Sequence, residues 1–236
     1  MDRKARKMER FELFEQKNNV LFKNKDLLKQ AFIHRSYLNE NRDLGLEHNE
    51  RLEFLGDAVL ELVVTDYLYN KYKDKSEGDL TSYRSALVNA NTLSLVATEI
   101  GINDLLFLSK GEAKDKGRAR QVILADTFEA VIGAIYMDQG YDGAKNFIAQ
   151  NLFNLIDGIV SGGLWMDPKS RFQEKAQDRL GATPAYKTTK EEGPDHDKQF
   201  TVGVFVGSEL IAEGTGKSKQ EAEQEAAKRA LESRGW

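Results

Sequence analysis

A chain of 236 residues with 40% hydrophobic side chains can bury a core in one large or two smaller domains, which excludes a peptide or a solvated tail. The formal net charge of -4 offers no global attraction for a polyanion, so nucleic-acid contact would have to come from local patches; with no cysteine, disulfides and thiol catalysis are excluded. No stretch has the apolar run of a signal peptide or a membrane span, so a soluble cytoplasmic protein with no membrane partner is expected.

Phe11, Leu13 and Phe14, then Leu27, Leu28, Ala31, Phe32 and Ile33, predict two short amphipathic helices separated by Lys23-Asn24-Lys25, whose apolar faces support the helix that follows. His34 could serve as a ligand or base, but beside Phe32 and Ile33 it reads first as a hydrogen-bonded structural residue. Residues 39–48 are polar, contain Gly45 and lead as a loop into a helix expected over residues 47–72. In that helix Leu52, Leu55, Val59, Leu62 and Val63 make an apolar stripe. Glu50, Glu53 and Asp57 fall within roughly 60° of one another on a second stripe. Like charges at this spacing repel by a few tenths of a kcal/mol. Either the stripe is a solvated face, which Glu61 on the same side would suit, or something cationic sits opposite it.

Lys71, Lys73 and Lys75 suit a helix C-terminus, and Ser76 with Asp79 has capping-box spacing for a helix carrying Leu80, Tyr83, Leu87 and Val88. The helix dipole alone could explain Glu77 in that first turn. A helix over residues 93–100 capped by Gly101 follows, then a turn at Leu105 to Leu108. The cations Lys114, Lys116, Arg118 and Arg120 lie in a flexible segment that could touch phosphates or simply be solvated. The next helix, from Ala125 to Tyr136, is almost wholly apolar and carries only Asp126 and Glu129. Buried carboxylates are expensive unless paired or bound to metal. Facing the first acidic helix, they complete a pocket of Glu53, Asp57, Asp126 and Glu129. Hard oxygen donors without cysteine or a matching histidine favour magnesium, or manganese as a substitute, over zinc, and point to metal-assisted attack on a phosphate. A helix over residues 142–160, burying Phe147, Leu152, Phe153, Leu155 and Ile156, closes this half.

Ser161-Gly162-Gly163 reads as a joint, and Pro168, Pro184 and Pro194 all lie beyond it. The pattern becomes one helix (168–180), three strands (about 185–190, 198–206 and 209–213) and a helix (217–232) that lays Ala222, Ala226, Ala227 and Ala230 on the sheet. Between residues 167 and 236 there are 12 Lys and Arg against 13 Asp and Glu, so any basic surface is local.

The run from Asn49 to Leu60, with Ile123-Leu124-Ala125-Asp126-Thr127-Phe128-Glu129-Ala130, closely resembles the bacterial ribonuclease III signature. His34-Arg35-Ser36-Tyr37 and Ser76-Glu77-Gly78-Asp79-Leu80 resemble two lesser motifs of the same family. The resemblance implies an all-α endonuclease domain (8–160), a linker (161–166) and a small α+β (α-β-β-β-α) double-stranded RNA-binding domain (167–236). It implies Glu53, Asp126 and Glu129 as metal ligands, Asp57 and Glu129 as the residues closest to hydrolysis, and Glu50 and Glu77 as assisting acids. It further implies magnesium-dependent cutting of double-stranded RNA to 5′-phosphate and 3′-hydroxyl ends with a short 3′ overhang, by a homodimer with no organic cofactor. Ribosomal RNA precursors and structured messenger RNA are the implied targets. Phe54 is either an interface anchor or a core residue.

The C-terminal part resembles a double-stranded RNA-binding domain in three places: the helix with Gln173, Glu174 and Gln177, the loop Gly193-Pro194-Asp195-His196, and Gly214 to Lys219. A-form duplexes are read by shape, with a helix and a loop reaching 2′-hydroxyls while a helix N-terminus with lysines grips the phosphates between. Gln173, Gln177, His196, Lys217 and Lys219 are therefore the implied RNA contacts, and Gln220 stands where the family often has a further lysine. Two rivals remain, a protein that presents duplex RNA without cutting it, and a helical metal-dependent hydrolase of small phosphates.

Overall fold

The computed structural model describes residues 3–163, 165–194 and 198–236. The chain divides into two compact units, the first ending at Gly162 and the second starting at Gly163.

The first unit is helical. It contains α1 (Arg3–Lys17), α2 (Lys25–Ala31), α3 (Arg35–Glu40), α4 (Glu50–Lys71), α5 (Glu77–Val88), α6 (Ala90–Glu99), α7 (Arg118–Leu152) and α8 (Ile156–Ser161). The long α4 and α7 pack against each other, and α6 and α2 pack on α7. Their contact is set by two glycines. A Cβ on Gly56 would stand 1.8 Å from the Glu129 carbonyl oxygen, and one on Gly133 would stand 2.0 Å from that of Leu52. With hydrogens in their place the two backbones touch, which no larger residue would allow. This contact line explains a departure from the expected stripe. The buried face of α4 runs through Leu52, Gly56, Val59, Leu60, Val63, Val64 and Leu68, whereas Leu62 is 58% exposed. The helix is turned so that the small residue, rather than the largest aliphatics, lies at the crossing.

Several helix ends follow from local chemistry. Ser76 and Asp79 form the expected capping box on α5, and Gly101 takes a left-handed φ of 92° after α6. α7 is interrupted at Gly140 (φ 77°, ψ -170°), a non-helical backbone that separates two helical segments, so the helix expected over 142–160 does start beyond that break; it departs from expectation only in being divided by a turn at Phe153–Leu155 before α8. Glycine can hold that backbone conformation at little cost, so one helical segment ends there and the next begins. His34 caps α3: its Nδ1 accepts from the Ser36 amide and lies 2.8 Å from Ser36 Oγ, and partial burial lowers its pKa. It is the hydrogen-bonded structural residue that its apolar neighbours suggested.

The second unit has α9 (Pro168–Leu180), β1 (Pro184–Glu192), β2 (Gln199–Val206), β3 (Glu209–Gly216) and α10 (Lys219–Arg234), with the antiparallel sheet in the order β1-β2-β3. Phe172 of α9, Val204 of β2 and Ala226, Ala227 and Ala230 of α10 form its core. β3 runs further than the expected end at residue 213, because Phe200 pairs with Gly216 and Val202 with Gly214. Gly214 is needed there, since a Cβ would meet the Ala226 amide nitrogen at 2.1 Å. The last helix accordingly starts later than expected, with Ser218 as its cap and Lys217 before it.

Candidate functional site

The acidic helix faces meet where α4 crosses α7. One oxygen each of Glu53, Asp126 and Glu129 lies within 4.8 Å of the others. The glycine crossing explains why. Gly56 abuts the backbone of Glu129, and Gly133 abuts that of Leu52, so carboxylates one turn away on each helix converge. All three side chains are half-buried, and among the described residues no lysine, arginine or histidine forms an ion pair with any of them. Electrostatics records the strain. Burial, then Asp126, Glu50 and Asp57, pushes Glu53 up to about 7. Burial, then Asp57, Asp126, Glu53 and Glu61, pushes Glu129 up to about 8. Burial first and Glu50 second raise Asp126. Crowded acids with raised pKa values and no protein counter-charge are a donor set suited to a divalent cation.

Asp57 is exposed, one turn beyond Glu53 on α4, and its charge acts on both Glu53 and Glu129. Glu50 opens α4 and acts on Glu53 and Asp126. Its carboxylate lies 3.4 Å from Arg35 Nη1 and 3.8 Å from His48 Nδ1. Glu77 has a different setting. It accepts from Thr81 Oγ1 at 3.2 Å and lines a cleft with Thr65, Tyr69, Lys75 and Arg84, outside the three-carboxylate cluster of this chain. Glu61, without a task in the sequence reading, is paired with Arg84 at 3.2 Å.

On the second unit, Gln173 and Gln177 are exposed on α9, and Gln177 donates to Thr183 Oγ1 at 3.2 Å. Lys217 and Lys219 are exposed beside the start of α10, where Lys219 Nζ is 3.0 Å from Glu191 and the Lys217 amide donates to Glu221 at 2.9 Å. His196 lies outside the described residues.

Two family models match the chain, one described as ribonuclease-III-like over residues 24–156 and one as the double-stranded RNA binding motif over 168–234. A ribonuclease 3 of Pelotomaculum thermopropionicum is 47% identical over 93% of this chain and 91% of its own, and one of Bacillus licheniformis is 45% identical over 96% and 90%. The chain belongs to the ribonuclease III family. It is an endoribonuclease with a C-terminal double-stranded RNA-binding domain. Among solved structures, the ribonuclease III nuclease domain of Campylobacter jejuni, described as flexible in a region involved in dimer formation, is 39% identical with a TM-score of 0.52, covering 58% of this chain and 95% of that one.

Within this ribonuclease III fold three positions build the acidic cluster without showing that role in the sequence. Asn49, buried at the start of α4, donates from Nδ2 to Ala31 O at 3.1 Å, and its amide donates to Ile33 O at 2.9 Å, fixing where the acidic helix begins. Its side chain makes no capping hydrogen bond, and no local sequence signal reveals its reach to residues 31 and 33. The paired glycines are the others, visible only as composition until the two helices are seen to cross. Arg120 also changes role. Its guanidinium donates to the carbonyls of Glu112, Ala113 and Asp115, so it pins the ribonuclease III loop before α7 rather than lying open to a phosphate.

Proposed function

We propose that the chain is a magnesium-dependent ribonuclease III that hydrolyses double-stranded RNA to 5′-phosphate and 3′-hydroxyl ends with short 3′ overhangs, manganese serving as a substitute. The observation that carries this reading is the convergence of Glu53, Asp126 and Glu129 without a protein counter-charge, in a chain that also carries a double-stranded RNA-binding domain. Those three residues would hold the ion. When bound, it supplies Lewis acidity at the scissile phosphate and lowers the pKa of an attacking water. Glu129 and the exposed Asp57 flank the place of attack from opposite helices and orient that water, while Glu50 and Glu77 assist. No side chain serves as nucleophile.

Gln173 and Gln177, with His196 of the β1–β2 loop, reach 2′-hydroxyls in the shallow groove, and Lys217 and Lys219 grip phosphates at the start of α10. The enzyme acts as a homodimer in the cytoplasm, with ribosomal RNA precursors and structured messenger RNA as targets and no organic cofactor. Support for the dimer comes from α4. Phe54, Leu62 and Tyr69 are 81%, 58% and 70% exposed, and they lie within roughly 80° of one another around the helix. An apolar strip of this kind marks an interaction surface. Its exposure favours the interface reading of Phe54 over the core one.

The test is a gel assay on a long perfect RNA duplex with magnesium, with chelator, and with single-stranded RNA as control. Cutting of the duplex alone, and only with the metal, is the expected result. Duplex binding without cutting under every divalent ion would favour a protein that presents RNA.

A further inference from the structure

We propose that Arg35 is a positioning residue for cleavage: it holds the Glu50 carboxylate at the edge of the acidic cluster and acts through that carboxylate. The inference rests on the reading that Glu50 assists hydrolysis. Arg35 belongs to the motif His34 to Tyr37, in which His34 and Ser36 have structural tasks, whereas among the described residues the arginine pairs only with Glu50. It is the first residue of α3, as Glu50 is the first of α4. The two helix starts are stitched together by backbone. Asn49 reaches Ala31 O and Ile33 O, the His34 amide donates to Phe107 O at 3.1 Å, and the Phe107 amide donates to Phe32 O at 2.9 Å. Residues 31–34 are thereby bonded on both sides, so the scaffold sets the spacing of the two backbones from which Arg35 and Glu50 reach each other.

The contact itself is solvent-facing, with side chains 67% and 44% exposed and Nη1 to Oε1 at 3.4 Å. Exposed pairs of this type add little to folding stability. Direction is what such a pair can supply. Glu50 acts electrostatically on both Glu53 and Asp126, so where its charge sits matters to the cluster. His48, 3.8 Å from the other Glu50 oxygen, bounds the carboxylate on its second side.

The test uses the full chain and four variants: R35M, R35K, E50Q and the double variant R35M/E50Q. Single-turnover cleavage of a duplex is measured with magnesium, duplex affinity with chelator, and melting temperature for each. R35M is expected to slow cleavage about fivefold, the size of an exposed charged contact, while affinity and melting temperature stay at their original values. R35K should recover most of the rate, and the double variant should be no slower than E50Q alone. A parallel loss of affinity in R35M would mean direct RNA contact and overturn the proposal. So would an R35M loss that persists undiminished in the E50Q background, or a wild-type rate for R35M when E50Q is slow. A wild-type rate for E50Q would instead overturn the role given to Glu50, and the positioning role with it.

Discussion

The two units reach their working surfaces by opposite routes. In the helical unit the acids come from residues 53, 126 and 129, on helices that must cross at glycine contact before the carboxylates meet. In the α+β unit the described residues assigned to RNA, Gln173, Gln177, Lys217 and Lys219, stand exposed on one helix face and beside one helix start. The first surface exists only if packing is correct to a fraction of an ångström. The second also rests on close packing, since α10 lies against Gly214 of β3, but its groups need not converge on one point. An acidic cluster built this way is strained by its own charge, whereas a surface of separate exposed groups carries no such cost.

The largest effect that would sharpen this contrast is chemical. Glu129→Gln should lower the cleavage rate on the order of a thousandfold, as loss of a central charged group does, with duplex affinity in chelator unchanged. Cleavage near the original rate would remove Glu129 from the site. Gly133→Ala tests the packing itself. The added methyl would overlap the Leu52 carbonyl, so the helical unit should lose about 3 kcal/mol of stability and most of its cleavage. The α+β unit should keep its own unfolding transition, which calorimetry can follow. An unaltered melting profile would mean that the crossing is looser than described.

A smaller change is expected on the exposed surface. Replacing Lys217 and Lys219 together with Met should weaken duplex binding about tenfold at moderate salt, and lower the slope of affinity against salt by about two. Folding should be untouched. An unchanged slope would show that these lysines do not meet phosphates.

The mildest prediction concerns pH. Glu53 and Glu129 start from an ordinary value of 4.5 and rise to about 7 and about 8 in the fold, so the native state binds more protons than the unfolded one in that window. Without metal, stability is therefore greatest below the window and falls as pH rises through it. A divalent ion offsets the repulsion, so magnesium should raise the melting temperature by a few degrees at about pH 8.5 and much less at about pH 5.5. An equal shift at both pH values would count against these carboxylates as the ion's ligands.

Much of the molecule was legible before any coordinates. The capping box at Ser76, the Gly101 cap, the α9 boundaries and the buried alanines of α10 all follow from rules that act within a few residues. Errors arose where distant backbone intervened. Leu62 has the right spacing for the core, yet the Gly56 crossing rotates it into solvent. β3 continues past residue 213 because β2 offers it partners, a choice that propensity alone cannot anticipate. Arg120 looked like one loop cation among several, and only the folded loop directs its Nε and Nη2 to three carbonyls.

The sequence by itself determined which residues carry charge at helical spacing, and hence that two helices each present acids on one side. That information is local, since the period of a helix converts residue number directly into direction. It also determined the order of elements in the α+β unit, where alternation and turn residues act over short range. Only the tertiary structure decided that the acidic sides of α4 and α7 meet within 4.8 Å, that Glu77 stands apart from them in this chain, and that Arg35 meets Glu50. Those facts depend on how closely two backbones can approach, which is settled by atoms that are missing at Gly56 and Gly133 and can be known only once both helices are in place.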